Sequence, residues 1–208
     1  MILNKLNSFG VFGLTAITLV CIAFSPFQSD WEEAKKKNGI IIYTKNITGY
    51  EIKMFKAITT YKNIKMSKVV NIIKYADKTE DWISDVSVGE MIKKTNEEQW
   101  LSYLLLDLPW PFEQREMALN HKITTNTPKE VYIEITINAE IPHKKEDAVK
   151  IENAEGSWKL IQEGTDVKVI YSFVADPNGN IPAWVINMFV VDGPIETLGK
   201  LYELCKVK

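Results

Sequence analysis

Between Ala183 and Val191 the chain reads AWVINMFVV, with Asn187 as the one polar side chain. Pro182 suits the first turn of a helix, where a missing N–H is no loss. A helix of this composition is apolar on nearly every side, and it is stable only when the rest of the chain surrounds it. The fold must therefore contain something that wraps. Gly193-Pro194 follows after Asp192, and Pro194 has no N–H for the carbonyl one turn earlier, so a kink or break is expected there. Beyond it Ile195, Leu198, Leu201 and Tyr202 form an amphipathic stripe.

The wrapping element is legible upstream as period-2 alternation. Val131, Ile133, Ile135, Ile137, Ala139 and Ile141 interleave with Tyr132, Glu134, Thr136, Asn138 and Glu140. One face is buried and the other wet, the pattern of antiparallel sheet. Strand patterns also cover 86–94, 98–106, 115–124, 156–162 and 166–175. Gly39 to Ile47 and Ile52 to Thr60 read as two strands around Thr48-Gly49-Tyr50. Trp31 to Asn38 reads as a short polar helix ended by Gly39. Val69, Ile72, Ile73 and Ala76 have helical spacing behind a candidate cap at Ser67, and Thr79 to Ser84 reads as a second short helix carrying Trp82. Asp176-Pro177-Asn178-Gly179 is a turn signal. The expected class is α+β: one long antiparallel sheet that curls round the last helix, burying both.

The first 29 residues form a separate object. Lys5 gives a weakly positive start, and no charge occurs from Phe9 to Phe24. That run is short for a membrane span and suits a secretory signal, with small residues at Ala23 and Ser25 near a cleavage site. Val20 before Cys21 departs from the small residue usual at lipoprotein sites; an uncleaved anchor is the other alternative. The expectation is a signal peptide or N-terminal anchor over 1–29, one domain over 30–208, and a periplasmic or secreted location. Cleavage would leave Cys205 alone, without an intramolecular disulfide.

Composition narrows the function classes. The chain is 46% hydrophobic and 25% charged, which supports a packed core, and its net charge of −2 comes from mixed signs. No Lys/Arg stripe favours a nucleic-acid partner. Lys35-Lys36-Lys37 adjoins Glu32 and Glu33 and reads as a solvated helix face. His121 and His143 are too few for a structural zinc site, so no metal and no cofactor are expected. Gly-x-Ser-x-Gly, a phosphate-cradling loop and His-Glu-x-x-His are all missing, which argues against an enzyme.

Several residues stand out against the strand patterns. Glu90 shares a register with Val86, Val88 and Ile92, while Arg115 and His121 share one with Met117, Leu119 and Ile123. An ionisable group on a buried face is costly unless it is paired or lines a wet cavity. These three read either as polar contacts for a ligand or as groups that a bulge or register slip puts in solvent. Trp100, Trp158 and Trp184 read as core aromatics, with ligand contact as the second reading. Leu104 to Phe112 reads LLLDLPWPF; Pro109 and Pro111 make its end a loop, and Leu108, Trp110 and Phe112 on it are candidate membrane contacts or folded-back core.

The element order and five phrases resemble the START (steroidogenic acute regulatory protein-related lipid transfer) family. The phrases are Gly39-Ile-Ile-Ile-Tyr-Thr, Trp82, Pro111-Phe112 with Arg115-Glu116, Gly156-Ser-Trp-Lys-Leu, and Asp176-Pro-Asn-Gly-Asn-Ile-Pro-Ala-Trp-Val-Ile-Asn. The resemblance covers residues 31 to 205 in order; the family often has Arg-Asp where this chain has Arg115-Glu116. The resemblance implies the helix-grip (START/Bet v 1-like) fold, with a hydrophobic tunnel between the curved sheet and the last helix. It implies one bound lipid, no catalytic residue and no metal. Glu90, Trp100, Arg115, His121, Trp158, Trp184 and Met188 become the expected lipid contacts. The expected function is carriage of one apolar molecule between membranes, with transient contact at a membrane surface. Two alternatives remain. One is an aromatase/cyclase of the same superfamily, for which His121 with Glu90 is the visible acid–base candidate. The other is an interaction module whose cavity is filled by side chains.

Overall fold

The computed structural model describes residues 30–207. The expected signal segment lies outside the described residues. Asn38 and Gly39, at φ of 51° and 76°, link β1 (Glu32–Lys37) to β2 (Ile40–Lys45), with Lys37 opposite Ile40. A two-residue loop with positive φ at both positions matches the twist of an antiparallel pair. This corrects the helix expected over Trp31 to Asn38: the lysine run is a charged edge strand, which discourages edge-to-edge pairing with other chains. Lys35 also meets Asp192 at 2.5 Å, an exposed pair worth little in stability.

The remaining elements are β3 (Met54–Tyr61), α1 (Met66–Lys74), a 3-10 helix at Ala76–Asp81, β4 (Val86–Asn96), β5 (Gln99–Leu106), β6 (Arg115–Asn126), β7 (Glu130–Ile137), β8 (Val149–Lys150), β9 (Ala154–Glu163), β10 (Asp166–Ala175), α2 (Ala183–Asn187) and α3 (Gly193–Lys206). The sheet has 10 strands in the order β1-β2-β3-β10-β9-β7-β6-β5-β4, with the short β8 added in parallel to the start of β6. All other pairs are antiparallel. Bulges interrupt β4 against β5 and β6 against β7, and each extra residue increases local twist. The result is the expected α+β helix-grip arrangement, a curved antiparallel sheet holding a C-terminal helix.

Ser67 does not cap α1. Lys65 occupies the cap position without a side-chain bond, and the Met66 N–H donates to Gln162 Oε1 at 2.9 Å. The helix start is satisfied from β9, an arrangement invisible to local sequence. The alternation through Ile141 also ends early, because β7 stops at Ile137. The following segment crosses the outer face of the sheet. The buried Glu116 carboxylate holds it, accepting from the backbone N–H groups of Lys144 and Lys145, from Tyr103 Oη–H at 2.8 Å, and lying 2.7 Å from His143 Nδ1.

The C-terminal helix does not break at Pro194. Met188–Asp192 forms a π turn in which the Gly193 N–H donates to the Met188 carbonyl, and Gly193 itself is helical at φ −55° and ψ −48°. The wider turn accommodates the residue that lacks a donor, and such turns concentrate at functional sites. Beyond it α3 is anchored to β3: Tyr61 Oη–H donates to the Leu198 carbonyl at 2.7 Å, and Tyr61 stacks on Tyr202 with centroids 4.7 Å apart. Leu198 and Leu201 are wholly buried.

Candidate ligand cavity

Strand pairing builds the cavity wall. Trp100 faces His121, Ser102 faces Leu119, Leu104 faces Met117 and Leu106 faces Arg115 across β5 and β6, and all eight side chains line one interior cavity. Successive residues of a strand point to opposite faces, so the intervening Tyr103, Leu105 and Glu116 look outward under the 138–148 segment. Trp158 from β9 and Tyr171 and Phe173 from β10 continue the wall, with Trp158 stacked on Tyr171 at 3.9 Å. Gly156 makes this packing possible. A Cβ there would stand 2.5 Å from Phe173 Cδ2 and 2.5 Å from the Ser172 carbonyl oxygen, so only glycine lets Phe173 lie across β9. The helix closes the opposite side with Ile186, Phe189, Val190, Pro194 and Thr197. About 140 Å³ of open space remains inside.

The wall is apolar with a few placed polar groups, the usual composition of a small-molecule site. His121 Nε2 lies 2.9 Å from Ser102 Oγ, and burial pushes its pKa down to about 3, so the ring is neutral at physiological pH. Its ring lies parallel to Trp100, 2° apart in plane, with centroids separated by 4.8 Å. His121 Nδ1, Trp100 Nε1 and Trp82 Nε1 are buried and have no partner among the described residues, and all three side chains line this cavity. Among the described residues no cluster of His, Cys, Asp or Glu could hold a metal ion.

No family model matches the chain. It is 26% identical over 181 residues to an uncharacterised protein of Pseudomonas aeruginosa, covering 85% of this chain and 87% of that one. It is 23% identical over 186 residues to phosphatidylcholine transfer protein of Rattus norvegicus, covering 86% and 85% of the two chains. The solved STAR-related lipid transfer protein fragment of Xanthomonas axonopodis superimposes with a TM-score of 0.78 at 25% identity, over 86% of this chain and all (100%) of that one. The fold is that of the START-type domains. Human StAR-related lipid transfer protein 5 shares the fold with a TM-score of 0.75 at 12% identity, over 86% of this chain and 87% of the other.

The cavity brings together Trp100, Arg115, His121 and Trp158 from the expected contacts and leaves out Glu90, Trp184 and Met188. Glu90 pairs with Lys144 on the outer face, opposite Tyr103. The bulge between Val86 and Val88 shifts the alternation of β4, which also leaves Val88 40% exposed. Trp184 is 54% exposed, its edge against Phe112 at 6.4 Å, while its neighbour Val185 is wholly buried. Met188 opens the π turn, half-buried and off the wall. Arg115 lines the cavity but is no free cation: Nε donates to the Pro177 carbonyl at 2.6 Å, Nη1 to Glu113 at 2.7 Å and Nη2 to Asn178 at 3.2 Å.

Of the loop candidates, Leu108 turns into the cavity wall, Trp110 is 91% exposed, and Phe112 is half-buried against Trp184. Sequence reasoning missed Ile186, Phe189, Val190 and Thr197 as wall residues. Their spacing of three, one and seven is a helical stripe, so the signal was present, but a segment apolar on every side hides which stripe faces in.

Proposed function

We propose that the protein is an exported carrier that encloses one apolar ligand between its sheet and its C-terminal helix and exchanges it at a membrane surface. The observation that carries this reading is the cavity itself: an apolar interior walled by strand and helix, with orphan polar atoms and space left over. The lipid transfer proteins with the same fold support it. The mouth supports the membrane step. Leu108 and Ile186 line the cavity, while Trp110 and Trp184 from the same two segments point outward, and indole rings favour the depth where acyl chains meet headgroups. The open space of about 140 Å³ resembles a cavity of ~150 Å³ that holds benzene, well below the ~300–1,000 Å³ of drug-sized sites. A whole lipid therefore requires the segment from Ala183 to Asp192 to swing outward, and the π turn is the weak point at which to do so.

The cyclase alternative needs His121 and Glu90 in one site, and the sheet lies between them. Export is supported by the charge-free run from Phe9 to Phe24.

The test is solvent extraction of protein purified from its native host, followed by mass spectrometry. One apolar molecule per chain is expected. A ligand at ~100 times its dissociation constant should also stabilise the fold by ~2.7 kcal/mol. An empty protein whose melting temperature no member of a broad lipid panel raises would leave the filled interaction module in place of the carrier. N-terminal sequencing of the same sample checks export: a start between residues 22 and 31 is expected, and an intact Met1 on a cytosolic protein overturns it.

A further inference from the structure

We propose that the end of the cavity lined by Trp100, Ser102 and His121 is a subsite for one uncharged hydroxyl, so that the ligand is a neutral lipid alcohol rather than a lipid with a charged headgroup. This rests on the carrier reading and goes further by naming the chemistry at the ligand's polar end.

The argument begins with unsatisfied groups. Buried polar atoms are almost always paired, and those that are not need an explanation. Trp100 Nε1 and His121 Nδ1 are buried without a partner among the described residues, on side chains that are opposed across β5 and β6 and stacked on each other. Both line the same cavity. An indole N–H only donates. A neutral imidazole has one donor and one acceptor nitrogen, and which is which follows from the partner of the other nitrogen. When Ser102 Oγ accepts from His121 Nε2–H, Nδ1 is left as an acceptor. A hydroxyl then satisfies both orphans at once, accepting from Trp100 Nε1–H and donating to His121 Nδ1. A carbonyl oxygen could only accept. Trp82 Nε1 is a further donor on the same wall.

The charges rule on the headgroup. Lys53, Asp85 and Arg115 are the charged residues of the cavity lining. Lys53 pairs with Glu32, Arg115 is spent on three carbonyls, and Asp85 accepts from Ser84. Burial keeps His121 neutral. A phosphate, carboxylate or ammonium drawn to the Trp100 end would find no free counter-charge, and a buried charge without one is expensive.

The test titrates the full-length protein with 1-octanol, octane, octanoate and octylammonium, following tryptophan fluorescence. Octanol is expected to bind roughly tenfold more tightly than octane, the yield of one satisfied hydrogen-bond pair, and more tightly than either ion. His121→Leu should abolish the preference of octanol over octane while octane still binds. Trp100→Phe, which removes the N–H and keeps the ring, should weaken the same preference and covers the case in which the histidine variant fails to fold. Equal binding of octanol and octane by the wild type, or full preference in a folded variant, overturns the hydroxyl subsite while leaving the carrier standing. Failure of every probe to bind overturns the carrier reading and this one with it.

Discussion

Arg115 Nε donates to the Pro177 carbonyl at 2.6 Å, tying the first residue of β6 to the turn that launches the C-terminal helix. With the bonds to Glu113 and Asn178, the guanidinium fork holds three carbonyls while 5% of the residue is exposed. Glu116, its neighbour, points the other way and clamps the outer segment. The pair Arg115-Glu116 therefore fastens both faces of the sheet at one point. Replacing Arg115 by Met should leave those carbonyls unpaired and cost about 3 kcal/mol, hydrogen bonds to charged groups being the strong ones. Urea unfolding checks this. Arg115→Lys should recover only part of the loss, because an ammonium lacks the planar fork. A loss under ~1 kcal/mol for Met would remove the staple role.

His121 makes stability pH-dependent in a direction that can be stated. Its folded pKa of about 3 lies below the value of 6.5 in the unfolded chain. Between those values the unfolded chain binds a proton that the native protein does not, so stability is present above pH 6.5 and falls as the solution is acidified. From pH ~6.5 to ~4.5 this one residue should cost about 2.7 kcal/mol. Carboxylates titrate nearby, so the comparison is with His121→Leu across the same range: the difference between the two curves should shrink as pH falls. Parallel curves would contradict a buried neutral imidazole.

Trp110 and Trp184 should behave as surface residues that matter for membranes. The double substitution to Ser should lower binding to phospholipid vesicles and slow lipid transfer, with stability changed by less than ~1 kcal/mol. Trp158→Ala should instead cost ~3–5 kcal/mol, since its ring is 2% exposed and stacked in the core. Co-sedimentation with vesicles and thermal melts separate the two. Unaltered vesicle binding in the double variant would place the docking surface elsewhere.

Gly156→Ala should destabilise by ~1–3 kcal/mol, the usual cost of forcing a methyl into a packed interior. The added carbon meets both the Phe173 ring and the Ser172 backbone. Adding Phe173→Leu should therefore relieve part of the loss and never all of it. Full rescue would mean that the backbone contact is harmless.

Sequence and structure divide along a physical line. Period and turn chemistry are local, and they determined the alternating strands, the Asp176 to Gly179 turn and a last helix that needed enclosure. The hairpin at Asn38-Gly39 was missed, although the dipeptide suits two positive φ values, because the polar run before it reads equally as helix until β2 is there to pair with it. The signal for His121 was the register of its strand and that for Trp100 its bulk as an aromatic; the two face each other because β5 and β6 pair without a bulge over that stretch.

Where tertiary contacts intervene, the local reading fails. Glu90 follows the same alternation as its neighbours, yet a bulge against β5 sends it to the outer face. Trp184 and Val185 are adjacent and equally apolar, yet one is exposed and the other wholly buried. The helix start at Met66 depends on Gln162, far along the chain. The sequence alone determined that a sheet must close on an apolar helix. Which side chains face the space between them was decided by bulges, strand pairing and the π turn, because each rotates a residue by an amount that only its partners across the fold can set.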